Sequence, residues 1–479
     1  HGVSVNWLPT DEDSTDAVFS ETIAKFEIPP ILPTRRPDGL GLSMKVLSDE
    51  EGYSLGGDGY KLCFALLKDY EDWITQRVVE ARDTLIEPWA KKTAERNIDA
   101  CRSCLERMKR GLQLLVSDPN VAQVFAKMNQ AMLAQQFRYS EVTSNGRQWV
   151  TDPDTKQLVP DRPFRELSED EVTREWRPFQ LAFVLMTISS IVLQDEEALA
   201  ERELVDVIWF PTGGGKTEAY LGLTAFTILW RRVDHGNWGT GTAVLMRYTL
   251  RLLTAQQFER ASTLICALEL IRREDRTGRF GEQPISIGLW VGSALSPNSD
   301  SDAVNAHKKL QRDTRASNPF VINSCPWCGS KMGVVQERPH RVIKGLVHKA
   351  KPSRIELCCE APDCSFSNED GLPIHVVDDR IYASRPSLVI ATVDKFAMLP
   401  WREQNLVGRI FGLDEDSPMP PSLIIQDELH LLLGPLGSAV ALFETAVDHL
   451  CTREDGTRPK IISSTATTRN TQLQIAALF

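Results

Sequence analysis

The chain has 479 residues, 42% hydrophobic and 25% charged, which excludes a disordered or fibrous protein and predicts roughly two to four domains. Its net charge of −11 and pI near 5.4 exclude a polyanion binder that is basic all round, so any nucleic-acid contact must use a local groove. No apolar run approaches the ~18–20 residues that cross a bilayer, and ten cysteines without a signal peptide point to a reducing, cytoplasmic setting where clustered thiols bind metal.

The chain begins at His1 and not Met, so a native N-terminus upstream is expected. Residues 1–60, rich in Pro, Gly and Asp, read as a small segment with extended stretches such as 40–47. Residues 61–165 read as a helical domain and linker, with amphipathic runs over 61–82 and 95–116 and a polar, Pro-containing stretch over 144–165. Cys101 and Cys104 make a Cys-x₂-Cys pair, but no second pair is near. Ile98, Cys101, Leu105, Met108 and Leu112 recur at helical spacing, so these thiols are read as core. The apolar run 181–193, broken by Thr187, Ser189 and Ser190, reads as a buried helix.

From residue 166 onward, short Val/Ile/Leu-rich runs alternate with helical segments, the pattern of an α/β fold with a doubly wound parallel sheet. Strands are expected at 205–210, 243–247, 285–291, 387–392, 423–426 and 461–464. The first runs into Phe210-Pro211-Thr212-Gly213-Gly214-Gly215-Lys216-Thr217 and then a helix, which is the phosphate cradle of a P-loop NTPase. Consecutive glycines let backbone N–H groups converge on phosphate oxygens, and the helix N-terminus adds partial positive charge. Lys216 reaches the β/γ-phosphates of ATP, and Thr217 supplies a hydroxyl to Mg²⁺.

Further on, Cys325-Pro-Trp-Cys328-Gly is followed by Cys358-Cys359-Glu-Ala-Pro-Asp-Cys364. Two such pairs complete a tetrahedral Zn²⁺ site with no open position, hence structural. Cys325, Cys328 and Cys364 are three ligands; the fourth is Cys359 or Cys358, and the four-residue gap favours Cys359. The basic stretch between the pairs, including Lys331, Arg341, Lys344, Lys349 and Arg354, reads as a solvated hairpin or a nucleic-acid contact. Next, Leu423-Ile-Ile-Gln426 is a buried strand ending in Asp427-Glu428-Leu-His430. Ligands of a doubly wound sheet sit at the carboxyl ends of its strands. There Asp427 would hold Mg²⁺ through water and Glu428 would deprotonate the attacking water.

The order of these pieces resembles the superfamily 2 helicases of the Asp-Glu-x-His type. The resemblance implies a RecA-like first helicase lobe over 166–318 and 381–479, interrupted by a four-cysteine insertion over 319–380. It implies that Gln180, in Arg177-Pro-Phe-Gln180, reads adenine. It further implies that Arg247 and Gln256, and Thr392 and Lys395, contact one nucleic-acid strand, and that Thr465 and Thr467 couple that groove to the phosphate site. The family usually has Ala or Gly where Phe210 stands. Phe-Pro-Thr-Gly-Gly-Gly-Lys-Thr-Glu-Ala-Tyr, with the cysteine insertion and Gln-Asp-Glu-Leu-His-Leu-Leu, also resembles the DrmA family, the helicase-like subunits of bacterial DISARM anti-phage systems. This implies an ATP-dependent DNA helicase or translocase, acting on single-stranded or junction DNA beside a DrmB-type subunit. A nucleotide-gated DNA-binding scaffold and an RNA-directed helicase stand as alternatives. The second RecA-like lobe, which supplies arginines to the transferred phosphate, is expected to be absent from this chain, leaving a unit that binds ATP better than it hydrolyses it.

Overall fold

The computed structural model describes residues 5–8, 17–20, 41–167, 174–210, 214–249, 251–293, 295–313, 315–336, 341–368, 370–397, 404–413, 418–465 and 471–479. The chain divides into two units, His1–Thr34 and Arg35–Phe479. The first contains an antiparallel pair, Val5–Leu8 with Ala17–Ser20.

The second unit is built on a seven-stranded sheet, parallel throughout. In chain order its strands are β1 (Val205–Trp209), β2 (Val244–Tyr248), β3 (Ile287–Trp290), β4 (Ile374–His375), β5 (Leu388–Thr392), β6 (Leu423–Gln426) and β7 (Lys460–Thr465), arranged in space as β4-β3-β5-β2-β6-β7-β1. Six were expected, and each lies within two residues of its expected bounds. β4 was not foreseen, since two residues carry no periodicity. Strands β2, β3, β5, β6 and β7 are buried along their whole length, which is why they read as continuous apolar runs and not as alternating ones. β1, at the sheet edge, alternates in burial and leaves Trp209 exposed.

The helices of this unit include α1 (Asp58–Thr84), α2 (Pro88–Ser117), α3 (Pro119–Ser144), α4 (Pro178–Val192), α5 (Lys216–His235) and α6 (Arg251–Glu274), and a further helix, Gly434–Cys451, packs Val447 and Cys451 against Leu245 and Ile424 of the sheet. The apolar run at 181–193 does form a buried helix, α4. Helices α2 and α4 cross closely at Gly111, where a Cβ would lie 1.9 Å from Leu185 O. Leu105, Leu112, Val124, Phe125, Leu181 and Phe226 belong to one buried apolar cluster, so the helices before residue 144 share a core with the sheet. Within 41–47, the described part of the expected extended stretch 40–47, the strand is Leu42–Ser43. Ser43 then caps a one-turn helix, Met44–Leu47, by accepting from Val46 N. The 144–165 stretch is not featureless either: Trp149–Thr151 pairs antiparallel with Leu158–Pro160.

The first residues of β1 and β7 meet α2 in a buried ion cluster. Arg107 grips Asp206 with two bonds of 2.8 and 2.7 Å, and Lys460 Nζ lies 2.7 Å from the same carboxylate. Lys460 also donates to Glu201 O and Leu204 O, each at 2.7 Å. Burial alone would raise the Asp206 carboxyl, but the Arg107 hydrogen bonds and the Lys460 charge outweigh it and hold it below the usual aspartate range.

Candidate nucleotide site and cysteine cluster

The phosphate loop leaves β1 at Phe210, whose N–H donates to Thr465 O of β7 at 3.2 Å. Phe210 stacks on Phe179 of α4, ring centroids 4.0 Å apart and planes 13° off parallel. The large residue at this position therefore closes the loop against the first turn of α4. Thr212 and Gly213 lie outside the described residues. Gly215 caps α5 at φ +85°, a conformation L side chains rarely adopt, and a Cβ there would meet Gln180 Nε2 at 2.7 Å.

Gln180 and Arg177 hold this turn from outside. Gln180 Nε2 donates to Gly215 O at 2.7 Å, its Oε1 accepts from Arg177 N at 2.8 Å, and Arg177 Nη1 donates to Gly214 O at 2.5 Å. The residues expected at the nucleobase are thus bonded to the loop backbone. Lys216 Nζ donates to Phe210 O at 2.9 Å across the loop.

The Asp-Glu pair leaves β6 two strands away from β1, on the same edge. Asp427 is buried and bonded at both oxygens: Oδ2 accepts from Tyr220 at 2.8 Å, and Oδ1 accepts from Ser464 Oγ and from Glu428 N. Tyr220 Oη is also 3.0 Å from Thr217 Oγ1, so one phenol joins the P-loop helix to the Asp-Glu strand. Glu428 sits at φ +51°, in the left-handed region that non-glycine residues seldom occupy. Burial first, and the Asp427 charge second, push its carboxyl above the usual glutamate range, against the opposing pull of Lys216 and His430. His430 Nδ1 lies 3.2 Å from Glu428 Oε2 and 3.3 Å from Thr465 Oγ1, linking β6 to β7. A base held above its normal pKa beside a hard-oxygen pair fits metal-assisted attack by water on a phosphoanhydride.

Tyr220 and Ser464 were missed from the sequence. Tyr220 stands three residues after Thr217, on the same helix face, and that spacing was the available signal. Ser464 was passed over for its neighbours Thr465 and Thr467; Thr467 lies outside the described residues.

The residues expected along a nucleic-acid strand divide. Gln256 is exposed on α6. Arg247 is 2% exposed and forms a two-bond ion pair with Glu444, also buried. Lys395 donates to Asp378 Oδ2 at 2.7 Å and to Val291 O at 2.9 Å, and it too is buried. Thr392 is a buried cap of the short helix Val393–Phe396. The expectation that Arg247 and Lys395 face a polyanion does not match these positions, because each cation is already neutralised inside the core.

The cysteines converge as expected. Cys325, Cys328, Cys359 and Cys364 are all buried, with their sulfurs within 4.8 Å of one another. Cys358 points away, within donor distance of the carbonyls of Phe366 and Asn368, so Cys359 is the fourth member. Such a set can hold a metal ion such as zinc. Thiol neighbours, Cys325 first, pull Cys328 far below the normal thiol range, while burial drives Cys325 well above it. The knuckle is joined to the earlier chain. Arg147 grips Asp363 and its N–H donates to Gly329 O at 2.8 Å; Trp149 Nε1 donates to Lys331 O; and Arg138 lies 4.8 Å over the Trp327 ring. Cys101 and Cys104 lie outside any such group among the described residues.

The resemblance read from the motifs is borne out by comparison. DISARM protein DrmA of Bacillus paralicheniformis is 34% identical over 453 residues, covering 86% of this chain. The chain spans 38% of the length of that relative. A solved structure, Mycobacterium smegmatis helicase Lhr bound to ssDNA and AMP-PNP, aligns with 60% of this chain and 25% of its own at 16% identity and a TM-score of 0.28. No protein-family model matches.

Proposed function

With the chain a relative of DISARM protein DrmA, we propose that it is the nucleotide-binding part of an ATP-driven DNA translocase or helicase serving anti-phage defence. The observation that carries this is the junction of Thr217, after β1, with Asp427, after β6, through the hydroxyl of Tyr220, with Lys216 and Glu428 next to them in the chain. Lys216 would bind the β/γ-phosphates of ATP, with Gly214 and Gly215 presenting backbone around them. Thr217 and Asp427 fit a Mg²⁺ ion, which when bound would neutralise charge developing on the phosphates. Glu428, raised in pKa and aimed by its left-handed backbone, would take the proton of the attacking water. His430 and Thr465 would report the state of that carboxylate to β7.

The buried cysteines would hold Zn²⁺ as a structural centre, since all four positions are filled by sulfur. DNA as the activating polymer, and a DrmB-type subunit as partner, rest on the family resemblance. The test is ATP turnover by the full-length protein alone and with single-stranded DNA, duplex DNA or RNA. Stimulation by DNA, lost in Lys216→Ala, is expected; turnover indifferent to every nucleic acid would overturn the motor reading.

A further inference from the structure

The hydroxyl that the sequence reading passed over has a defined task. Tyr220 is 1% exposed, and its Oη lies 2.8 Å from Asp427 Oδ2 and 3.0 Å from Thr217 Oγ1. A phenol has one proton. A carboxylate only accepts, and hydrogen bonds to charged acceptors are the stronger ones, so that proton goes to Asp427. The same phenol also lies within hydrogen-bond reach of Thr217 Oγ1, so its oxygen stands between Thr217 and Asp427. Tyr248, 3.5 Å away, has an acceptor of its own in Met246 Sδ at 3.3 Å. The other oxygen of Asp427 is occupied by Ser464 and by Glu428 N.

We infer that Tyr220 is a positioning residue for the cation of the bound nucleotide: its hydroxyl bridges Thr217 Oγ1 and Asp427 Oδ2 and holds these two oxygen groups together where the metal would be bound. The role rests on the nucleotide reading above. A hydroxyl and a carboxylate tied through one buried phenol hold their places before the metal arrives, so less ordering is left for the cation to impose. A phenylalanine here keeps the ring in its buried place and removes only the bridge.

The experiment is a titration of the full-length protein with a fluorescent ADP analogue, once in excess Mg²⁺ and once in EDTA, for the wild type and Tyr220→Phe, with thermal melting alongside. In Mg²⁺ the variant is expected to bind about tenfold more weakly, the worth of one charge-assisted hydrogen bond. In EDTA the two proteins are expected to match, and the Mg²⁺ concentration for half-maximal binding rises by a similar factor. Equal weakening with and without Mg²⁺, or none, overturns the role of Tyr220. Wild-type protein that binds no nucleotide in either buffer overturns the underlying reading instead. Should Tyr220→Phe not fold, 3-fluorotyrosine at position 220 retains the phenol. Its fluorine resonance is expected to shift on adding Mg²⁺ with nucleotide and to stay fixed with nucleotide in EDTA; an equal response to both contradicts the proposal.

Discussion

Glu428 carries the most chemistry in the smallest space. Its carboxyl is raised because it is half-buried beside the Asp427 charge. A base works as its anion, so ATP turnover should fall as pH drops through a value above the usual ~4.3 of glutamate. The pH–rate profile should show this acidic limb, and a flat profile down to the ordinary glutamate range would contradict the assignment. The residues proposed for nucleotide chemistry (Lys216, Thr217, Asp427, Glu428, His430) stand in short motifs and could be read from the sequence. Tyr220 and Ser464 were not, because a hydroxyl carries no spacing signature until the fold brings Asp427 to it. Arg247 and Lys395 were misread for a related reason: their partners Glu444 and Asp378 are on other elements, and a cation at a strand exit looks the same whether or not an acid awaits it.

At the scale of elements, the strands were legible because full burial on both faces produces uninterrupted apolar runs. What the runs do not encode is how β1 and β7 are pinned at their first residues. Asp206 sits buried between Arg107 and Lys460. Asp206→Asn leaves buried Lys460 without its counter-charge and Arg107 with Glu201 alone, 3.6 Å away, and should cost about 3–5 kcal/mol in thermal or denaturant unfolding. Because the folded pKa is depressed, this stabilisation is present above the unfolded value of ~3.9 and is lost as pH falls through the folded value. The gap between wild type and Asp206→Asn should therefore narrow in acid; a gap that widens would refute the ion-pair account. The cysteine group offers a cleaner contrast. Cys328→Ser or Cys364→Ser should abolish bound zinc in elemental analysis and lower the melting temperature, while Cys358→Ser, whose sulfur faces backbone carbonyls, should retain one zinc per chain. Loss of zinc in Cys358→Ser would mean that the ligand set is wrong.

For the whole of the larger unit, the informative feature is continuity. The helices before residue 144 share the apolar core of the sheet, and the hairpin at 149–160 is fastened to the cysteine knuckle through Arg147 and Trp149. Both joints connect residues far apart in sequence, so neither was legible; composition marked 144–165 only as polar. The phosphate loop after β1, the carboxylates after β6 and the hydroxyls of β7 stand at the carboxyl ends of three adjacent parallel strands of one sheet. The most direct test is Glu428→Gln in the full-length protein, with ATP binding and ATP hydrolysis measured on the same preparation. Binding within about twofold of wild type, with hydrolysis slowed by about 10²–10⁴-fold, is the predicted result for loss of a general base. Hydrolysis at the wild-type rate would contradict the assignment of Glu428 and, with it, the account of this sheet edge as a site that splits ATP.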